Sequence, residues 1–154
     1  MRTLLRLCLM ASLPAPLPAL AQTCADPAIF QPPVGGGSAT GDTCSGDTTA
    51  TGYCGNLPAP GPAYVFTVDV SAAGTFSTLI VTGAIAGFTP VIYLSDVAAG
   101  CGTNAPCVAQ NPIPPGSYFL VVTAAASNGS GACGTFTLTA DGSLPVTLQS
   151  FTVS

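Results

Sequence analysis

The chain has 154 residues, enough for one ordinary domain, and only 5% of them are charged. From Gln22 onward there is no Lys, Arg, His or Glu, so the six aspartates give the side chains a net charge of −6. A chain without cations neither neutralises phosphates nor is attracted to anionic lipid, and this composition argues against nucleic-acid binding and against a role at a membrane surface.

The first 21 residues have the pattern of a secretory signal peptide. Arg2 and Arg6 supply a charged start, residues 7–13 form a short apolar run, and residues 19–21 are an A-x-A cleavage site. A bilayer span needs about 20 apolar residues, and neither this run nor any later stretch is long enough. We therefore expect export through a cleaved leader, no membrane insertion, and a secreted or cell-surface location in a bacterium.

A short loop carries the candidate metal ligands. Residues 41–55 read GDTCSGDTTATGYCG. Calcium prefers carboxylate, carbonyl and hydroxyl oxygens, so Asp42 and Asp47 are a candidate calcium site, and no other cofactor is expected. The competing and favoured interpretation is that both aspartates bond their own backbone and stabilise turns. Tyr53 is the candidate ligand-contact residue, because its place in the loop predicts an exposed aromatic ring.

Six segments alternate apolar and polar residues, the pattern of half-buried strands. They are residues 63–70, 74–82, 90–96, 117–125, 134–141 and 144–153, with weaker candidates at 28–34 and around Val108. Residues 31–61 are rich in Gly, Pro, Ser and Thr and predict a long connection instead. Since no segment shows a sustained helical period, the chain is predicted to be all-β, an antiparallel β-sandwich or jelly roll of about eight strands.

The predicted organisation has three parts. Residues 1–21 are the signal peptide, residues 22–142 form the β-sandwich domain, and residues 143–154 form a C-terminal strand or tail. In the first strong strand, one face is predicted to point to the core, and it carries Tyr64, Phe66, Val68 and Val70.

Six cysteines remain after the leader, and an even number in an exported chain predicts three disulfides. A zinc site is disfavoured because the chain has no histidine and no CxxC-like pair. Six cysteines allow 15 connectivities. The favoured pairs close short local loops between strands, and the third pair follows by elimination. They are Cys44 with Cys54, Cys101 with Cys107, and Cys24 with Cys133.

Several segments in order resemble the bacterial pre-peptidase C-terminal domain. They are GDTCSGDT (41–48), YCG (53–55), AYVFTVDVSAAGTFSTLIV (63–81), FTPVIYLSD (88–96), PIPPGSYFLVVTAAAS (112–127) and GTFTLTAD (134–141). The resemblance implies a β-sandwich without catalytic residues, found on exported proteins and associated with secretion, adhesion or polymer binding. Many members carry Asp or Asn after the second loop cysteine, where this chain has residues 108–111, VAQN, so calcium binding is not carried over.

The residues that common hydrolytic mechanisms need are missing. Without His, Lys or Glu after the leader, neither a serine triad nor a Ser-Lys dyad can form. Asp42 and Asp47 lack the glycine that an aspartic-protease dyad has two residues later. We therefore expect no enzyme, but an exported accessory or surface module acting in adhesion or export. The alternative is a module, with or without calcium, that binds a polysaccharide or protein fibre, so the expected partner is an extracellular polymer or surface protein.

Overall fold

The computed structural model describes residues 22–31, 36–49, 52–55, 57–70, 78–83, 86–102, 105–108 and 115–141. The strands form two main sheets and one short hairpin, so the all-β sandwich prediction is confirmed. The described strands are nine, one more than expected: β1 Ala28–Ile29, β2 Gly37–Asp42, β3 Gly52–Tyr53, β4 Leu57–Pro58, β5 Tyr64–Val70, β6 Thr78–Gly83, β7 Pro90–Asp96, β8 Gly116–Ala124 and β9 Thr135–Asp141. The predicted leader (1–21) and C-terminal strand or tail (143–154) lie outside the described residues.

Sheet A has the strand order β1-β5-β8-β7, and sheet B has the order β2-β9-β6. Neighbouring strands are antiparallel in both, except that β1 runs parallel to β5. The third sheet is the hairpin of β3 and β4. No helix that is long and apolar enough to cross a membrane occurs in the part of the chain described here.

The main core lies between sheets A and B. Alternation along β5, β8 and β9 sends every second side chain inward, and the inward set is apolar. It includes Phe66, Val68 and Val70 of β5, Leu120 and Val122 of β8, and Phe136 and Leu138 of β9. The predicted inward face of residues 63–70 is therefore confirmed, with Tyr64 partly buried against the same cluster.

Part of the outer face of sheet A is also buried, which the alternation alone did not predict. Val65, Phe119 and Val121 point away from the main core, yet they are at most 9% exposed. They form a second cluster with Tyr53 and Ala63. The residues over this face come from the N-terminal segment, from residues 52–63 and from the loop after β7, and we call these three segments the cover layer.

The prediction of one long connection at residues 31–61 is wrong, because the strand β2 lies within it. Its sequence GSATGD has no large apolar residue, so the strand gives no hydrophobic signal. It forms because its backbone pairs with β9 over six residues, from Gly37 opposite Ala140 to Asp42 opposite Thr135. Backbone hydrogen bonds to β9, and not the burial of large apolar side chains, therefore hold β2 in place.

Three disulfides are present, as predicted, but all three predicted pairings are wrong. The bonds join Cys24 to Cys101, Cys44 to Cys133 and Cys54 to Cys107, across separations of 77, 89 and 53 residues. Closing a short loop costs little chain entropy, which favours pairs that are close in sequence. Strand pairing overrides that preference, since it brings distant segments together. Three structural disulfides indicate an oxidising compartment.

The register of β2 explains the bond between Cys44 and Cys133. Asp42 lies opposite Thr135, and the Thr43 amide donates to the Gly134 carbonyl at 3.0 Å. One step further along the same register, Cys44 faces Cys133. The other two disulfides tie the three segments of the cover layer to one another, since Cys24 and Cys54 are each bonded to a cysteine of the loop after β7.

Candidate functional site

The first Gly-Asp-Thr triplet is part of the framework. Asp42 Oδ1 accepts a hydrogen bond from the Cys44 amide at 2.9 Å and so caps a 3-10 turn at Thr43–Ser45. Thr43 is fully buried. Its hydroxyl donates to the Gly134 carbonyl at 3.2 Å and accepts from the Gly134 amide at 3.0 Å. This triplet therefore joins the end of β2 to the start of β9.

The second Gly-Asp-Thr triplet, residues 46–48, is joined to the segment that leads into β5. The backbones of Asp47 and Ala63 exchange two hydrogen bonds, at 2.7 and 2.9 Å. Asp47 Oδ1 accepts from both the amide and the hydroxyl of Thr49, at 2.7 and 2.6 Å. A side chain at Gly46 would run into the Ala63 carbonyl, so only glycine allows this approach. The turn-stabilising interpretation of both aspartates is confirmed.

The candidate calcium site stays a prediction. Each of Asp42 and Asp47 already uses one carboxylate oxygen within its own turn. Within the described ranges, no group of three or more His, Cys, Asp or Glu side chains is placed to hold a metal ion. Carboxylates that bind calcium share the ion with further oxygen ligands, and the described residues bring no third carboxylate to this loop.

Tyr53 is not an exposed contact residue, and this prediction is wrong. Its side chain is 2% exposed and stacks on Tyr93, with ring centroids 6.0 Å apart. The cover layer folds back over sheet A and buries the ring between the hairpin and the sheet. Its hydroxyl has no hydrogen-bond partner among the described residues. Burial, and secondly the negative charge of Asp47, raise the pKa of Tyr53.

A cleft opens where three loops meet. It has a volume of about 410 Å³ and is lined by Thr48, residues 59–62, Ser130 and Gly131. Thr48 belongs to the second Gly-Asp-Thr triplet, which places that triplet at the rim of the cleft. Sequence reasoning missed this site because its walls lie about 70 residues apart in the chain, at 59–62 and 130–131.

The outer face of sheet B carries hydroxyl side chains in register. Thr40 lies opposite Thr137, which lies opposite Thr82, and Ser38 lies opposite Thr139. We call Ser38, Thr40, Thr82, Thr135, Thr137 and Thr139 the hydroxyl face. All are exposed except Thr137, which is half-buried. The period-two threonines of residues 135–139, TFTLT, are the sequence signal that could have identified this surface.

The chain matches no family model, no curated protein and no solved structure.

Proposed function

We propose that this protein is an exported, non-catalytic surface module that attaches to extracellular material through the hydroxyl face. The observation that carries the proposal is the contrast between the two outer faces of the sandwich. The outer face of sheet A is buried beneath the cover layer at Val65, Phe119 and Val121, while its other end, with Ile29, Asp69 and Ser117, is exposed but carries no such array of hydroxyls. The outer face of sheet B presents five exposed hydroxyl side chains and one half-buried one.

The chemistry of the hydroxyl face suits an uncharged partner. Each hydroxyl both donates and accepts hydrogen bonds, and each threonine adds a methyl group for apolar contact. Adjacent strands lie about 4.8 Å apart, and successive outward residues of one strand about 6.8 Å apart, so the groups form a regular array. Many weak, equally spaced contacts favour a repeating partner such as a polymer, because several repeats are engaged together.

Two further observations support export and a role without catalysis. The leader-like residues 1–21 and the three disulfides are typical of exported proteins. From residue 22 onward the chain has no His, Lys or Glu, which removes the most frequent general base and leaves the six aspartates as its only carboxylate side chains. The resemblance to the pre-peptidase C-terminal domain points the same way, toward an accessory role in adhesion or export.

Binding to insoluble extracellular material tests the proposal. The oxidised protein starting at Gln22 is incubated with bacterial envelopes, cellulose, chitin and collagen, and the bound fraction is measured. We expect binding that the double variant Thr40→Ala/Thr139→Ala weakens by about tenfold, the effect of losing one or two hydrogen bonds. Both side chains are exposed, so their removal should leave the melting temperature unchanged.

The matched control is Thr89→Ala/Ser127→Ala, which removes two exposed hydroxyls outside sheet B. It should bind like the unaltered protein. Equal weakening by both double variants, or no binding to any of these materials, would contradict the proposal. Repeating the measurement with calcium and with EDTA tests the calcium-dependent alternative, which predicts binding only in the presence of calcium.

A further inference from the structure

The cleft at the junction of three loops is the strongest unexplained feature of the surface. Its volume of about 410 Å³ is comparable with small-molecule sites, which span about 300–1,000 Å³. One wall is the segment 59–62, which leads into β5, and the opposite wall is the turn at Ser130 and Gly131. Thr48 closes a third side.

The walls are fixed by hydrogen bonds within the protein. The Gly131 amide donates to the Pro60 carbonyl at 2.6 Å, which joins the two opposite walls. The Thr123 hydroxyl, in β8 below, lies 3.2 Å from the Gly61 carbonyl oxygen and 3.3 Å from that of Pro62. A cleft held in shape before binding loses less conformational freedom when a ligand enters.

The close approach of the walls also depends on glycine. A side chain at Gly61 would run into the Ala132 carbonyl oxygen. The next residue, Cys133, is bonded to Cys44, so the turn that bears Ser130 is anchored covalently to the loop that bears Thr48. All three sides of the cleft are thus tied to one another.

The lining combines an apolar wall with hydroxyl groups on either side. Ala59, Pro60 and Pro62 supply the apolar surface. Thr48 and Ser130 are exposed, and their hydroxyls have no hydrogen-bond partner among the described residues. No charged side chain lines the cleft, and Asp47, the neighbour of Thr48 in the chain, would repel an anion.

We propose that this cleft binds one pyranose unit of a neutral polysaccharide. A pyranose has an apolar C–H face and a rim of hydroxyls, which match the proline wall and the two flanking hydroxyl groups. An acidic sugar is disfavoured, because no cation is available to pair with its carboxylate. A protein partner fits less well, since the lining has none of the aromatic or arginine anchors that dominate protein interfaces.

This inference rests on the proposed function and deepens it, by naming the polymer class and a second contact site. The hydroxyl face would lie along the polymer, and the cleft would select the sugar. Linking a selective site to an extended weak surface raises the overall affinity without new contacts.

Titration of the oxidised protein with soluble glycans tests the cleft. Neutral probes are oligosaccharides of glucose, mannose, galactose and N-acetylglucosamine, and the comparison probes are alginate and gelatin. We expect saturable binding of at least one neutral oligosaccharide and none of alginate or gelatin. Ser130→Tyr fills the cleft and should weaken that binding by more than about tenfold, since a blocked site loses its contacts together.

The matched control is Ser127→Tyr, the same substitution at an exposed residue that does not line the cleft. It should bind like the unaltered protein, and both variants should keep three disulfides and an unchanged melting temperature. Ser130→Ala, which only removes a hydroxyl, should give a smaller loss of affinity. Binding of gelatin or alginate alone, or equal binding by the two tyrosine variants, overturns the inference.

Different results would refute the two proposals. If Thr40→Ala/Thr139→Ala weakens attachment to insoluble polymer while Ser130→Tyr has no effect on any glycan, the hydroxyl face is supported and the cleft inference is wrong. If the protein attaches to nothing, the proposed function fails.

Discussion

The two Gly-Asp-Thr triplets have the same sequence, but their threonines have opposite environments. Thr43 is fully buried and exchanges hydrogen bonds with Gly134. Thr48 is exposed at the rim of the cleft. The triplet itself does not decide this difference. Position along the strand pair decides it. Thr43 continues the pairing of β2 with β9 and is buried against Gly134, whereas Thr48 lies beyond that pairing and is exposed.

Replacing Thr43 by valine should destabilise the protein by about 1–3 kcal/mol, since the buried Gly134 amide loses its hydroxyl partner. Urea unfolding of the oxidised protein measures the change. Thr40→Val, an exposed substitution of the same kind on β2, should change stability by less than about 0.5 kcal/mol. Equal midpoints for the two variants would show that the bond to Gly134 contributes nothing.

The Tyr53 hydroxyl is a buried polar group without a partner among the described residues. An unpaired buried hydroxyl is destabilising, so Tyr53→Phe should be neutral or stabilising at about pH 8. Tyr53→Ala, which removes the buried ring, should instead destabilise the protein by about 3 kcal/mol or more in urea unfolding. A loss below about 0.5 kcal/mol would indicate an exposed ring.

The pH dependence of Tyr53→Phe provides a further test. Burial raises the pKa of Tyr53 in the folded state above its usual value of 10.0. Above about pH 10 the unfolded chain loses this proton while the folded chain retains it, so stability falls by up to about 1.4 kcal/mol per pH unit for this residue. Urea midpoints between about pH 8 and 11 should therefore decrease less steeply in Tyr53→Phe than in the unaltered protein. Parallel pH profiles would contradict a buried Tyr53.

At the scale of elements, the pairing of β2 with β9 determines one of the disulfides. Continuing their register past Asp42 and Thr135 brings Cys44 opposite Cys133. A sequence-based argument that treats residues 31–61 as a loop misses this register. It therefore pairs Cys44 with Cys54 and Cys101 with Cys107, which are neighbours in the chain, and leaves Cys24 with Cys133.

Non-reducing peptide mapping should yield three linked peptides, joining residues 24 to 101, 44 to 133 and 54 to 107. Pepsin is the suitable protease, because no Lys or Arg follows Arg6 and trypsin has no site. A peptide linking Cys44 to Cys54, or Cys101 to Cys107, would overturn the pairing and with it the described links between the segments of the cover layer.

Removing Cys54–Cys107 should loosen the cover layer while sheet B stays intact. The double variant Cys54→Ser/Cys107→Ser should lose about 4 kcal/mol of stability in the chain-entropy account of a 53-residue separation. Hydrogen exchange should accelerate most at residues 52–58. The control Cys44→Ser/Cys133→Ser should instead accelerate exchange at β2, because that disulfide lies at the end of sheet B.

At the scale of the whole molecule, no cationic side chain follows Arg6, so the rest of the chain has none to pair with a phosphate or carboxylate. From Gln22 to Ser154 the only charged side chains are six aspartates. Attachment through hydroxyl and apolar contacts should not depend on attraction between charges. The six side chains of the hydroxyl face and the lining of the cleft carry no charge, although Asp42 lies opposite Thr135 at one end of that face.

Salt should therefore have little effect on attachment to a neutral polymer. Between about 0.01 and 1 M salt the Debye length falls from about 30 Å to about 3 Å, which abolishes most surface charge effects. The bound fraction is expected to stay constant over this range. A steep decrease with salt would show that charge attraction carries the binding, contrary to the proposed uncharged contact.

The local sequence determined the strands whose side chains are buried. Apolar alternation predicted β5, β7, β8 and β9 within one residue at their ends, because burying every second side chain requires that pattern. The count and oxidising context of the cysteines likewise predicted three disulfides. Alternation is a pattern of residues close together in the chain, and the number of cysteines is a matter of composition. Both can be read without knowing which segments pair.

Tertiary structure alone decided the position of β2, the disulfide partners, the burial of Tyr53 and the cleft. Each depends on segments that lie far apart in the chain: β2 on β9, Cys54 on Cys107, Tyr53 on sheet A, and residues 59–62 on Ser130 and Gly131. The register of one strand against another sets these contacts. In β2 the side chains specify that register only weakly, because a Gly-rich strand without large apolar residues has no buried set of its own to align.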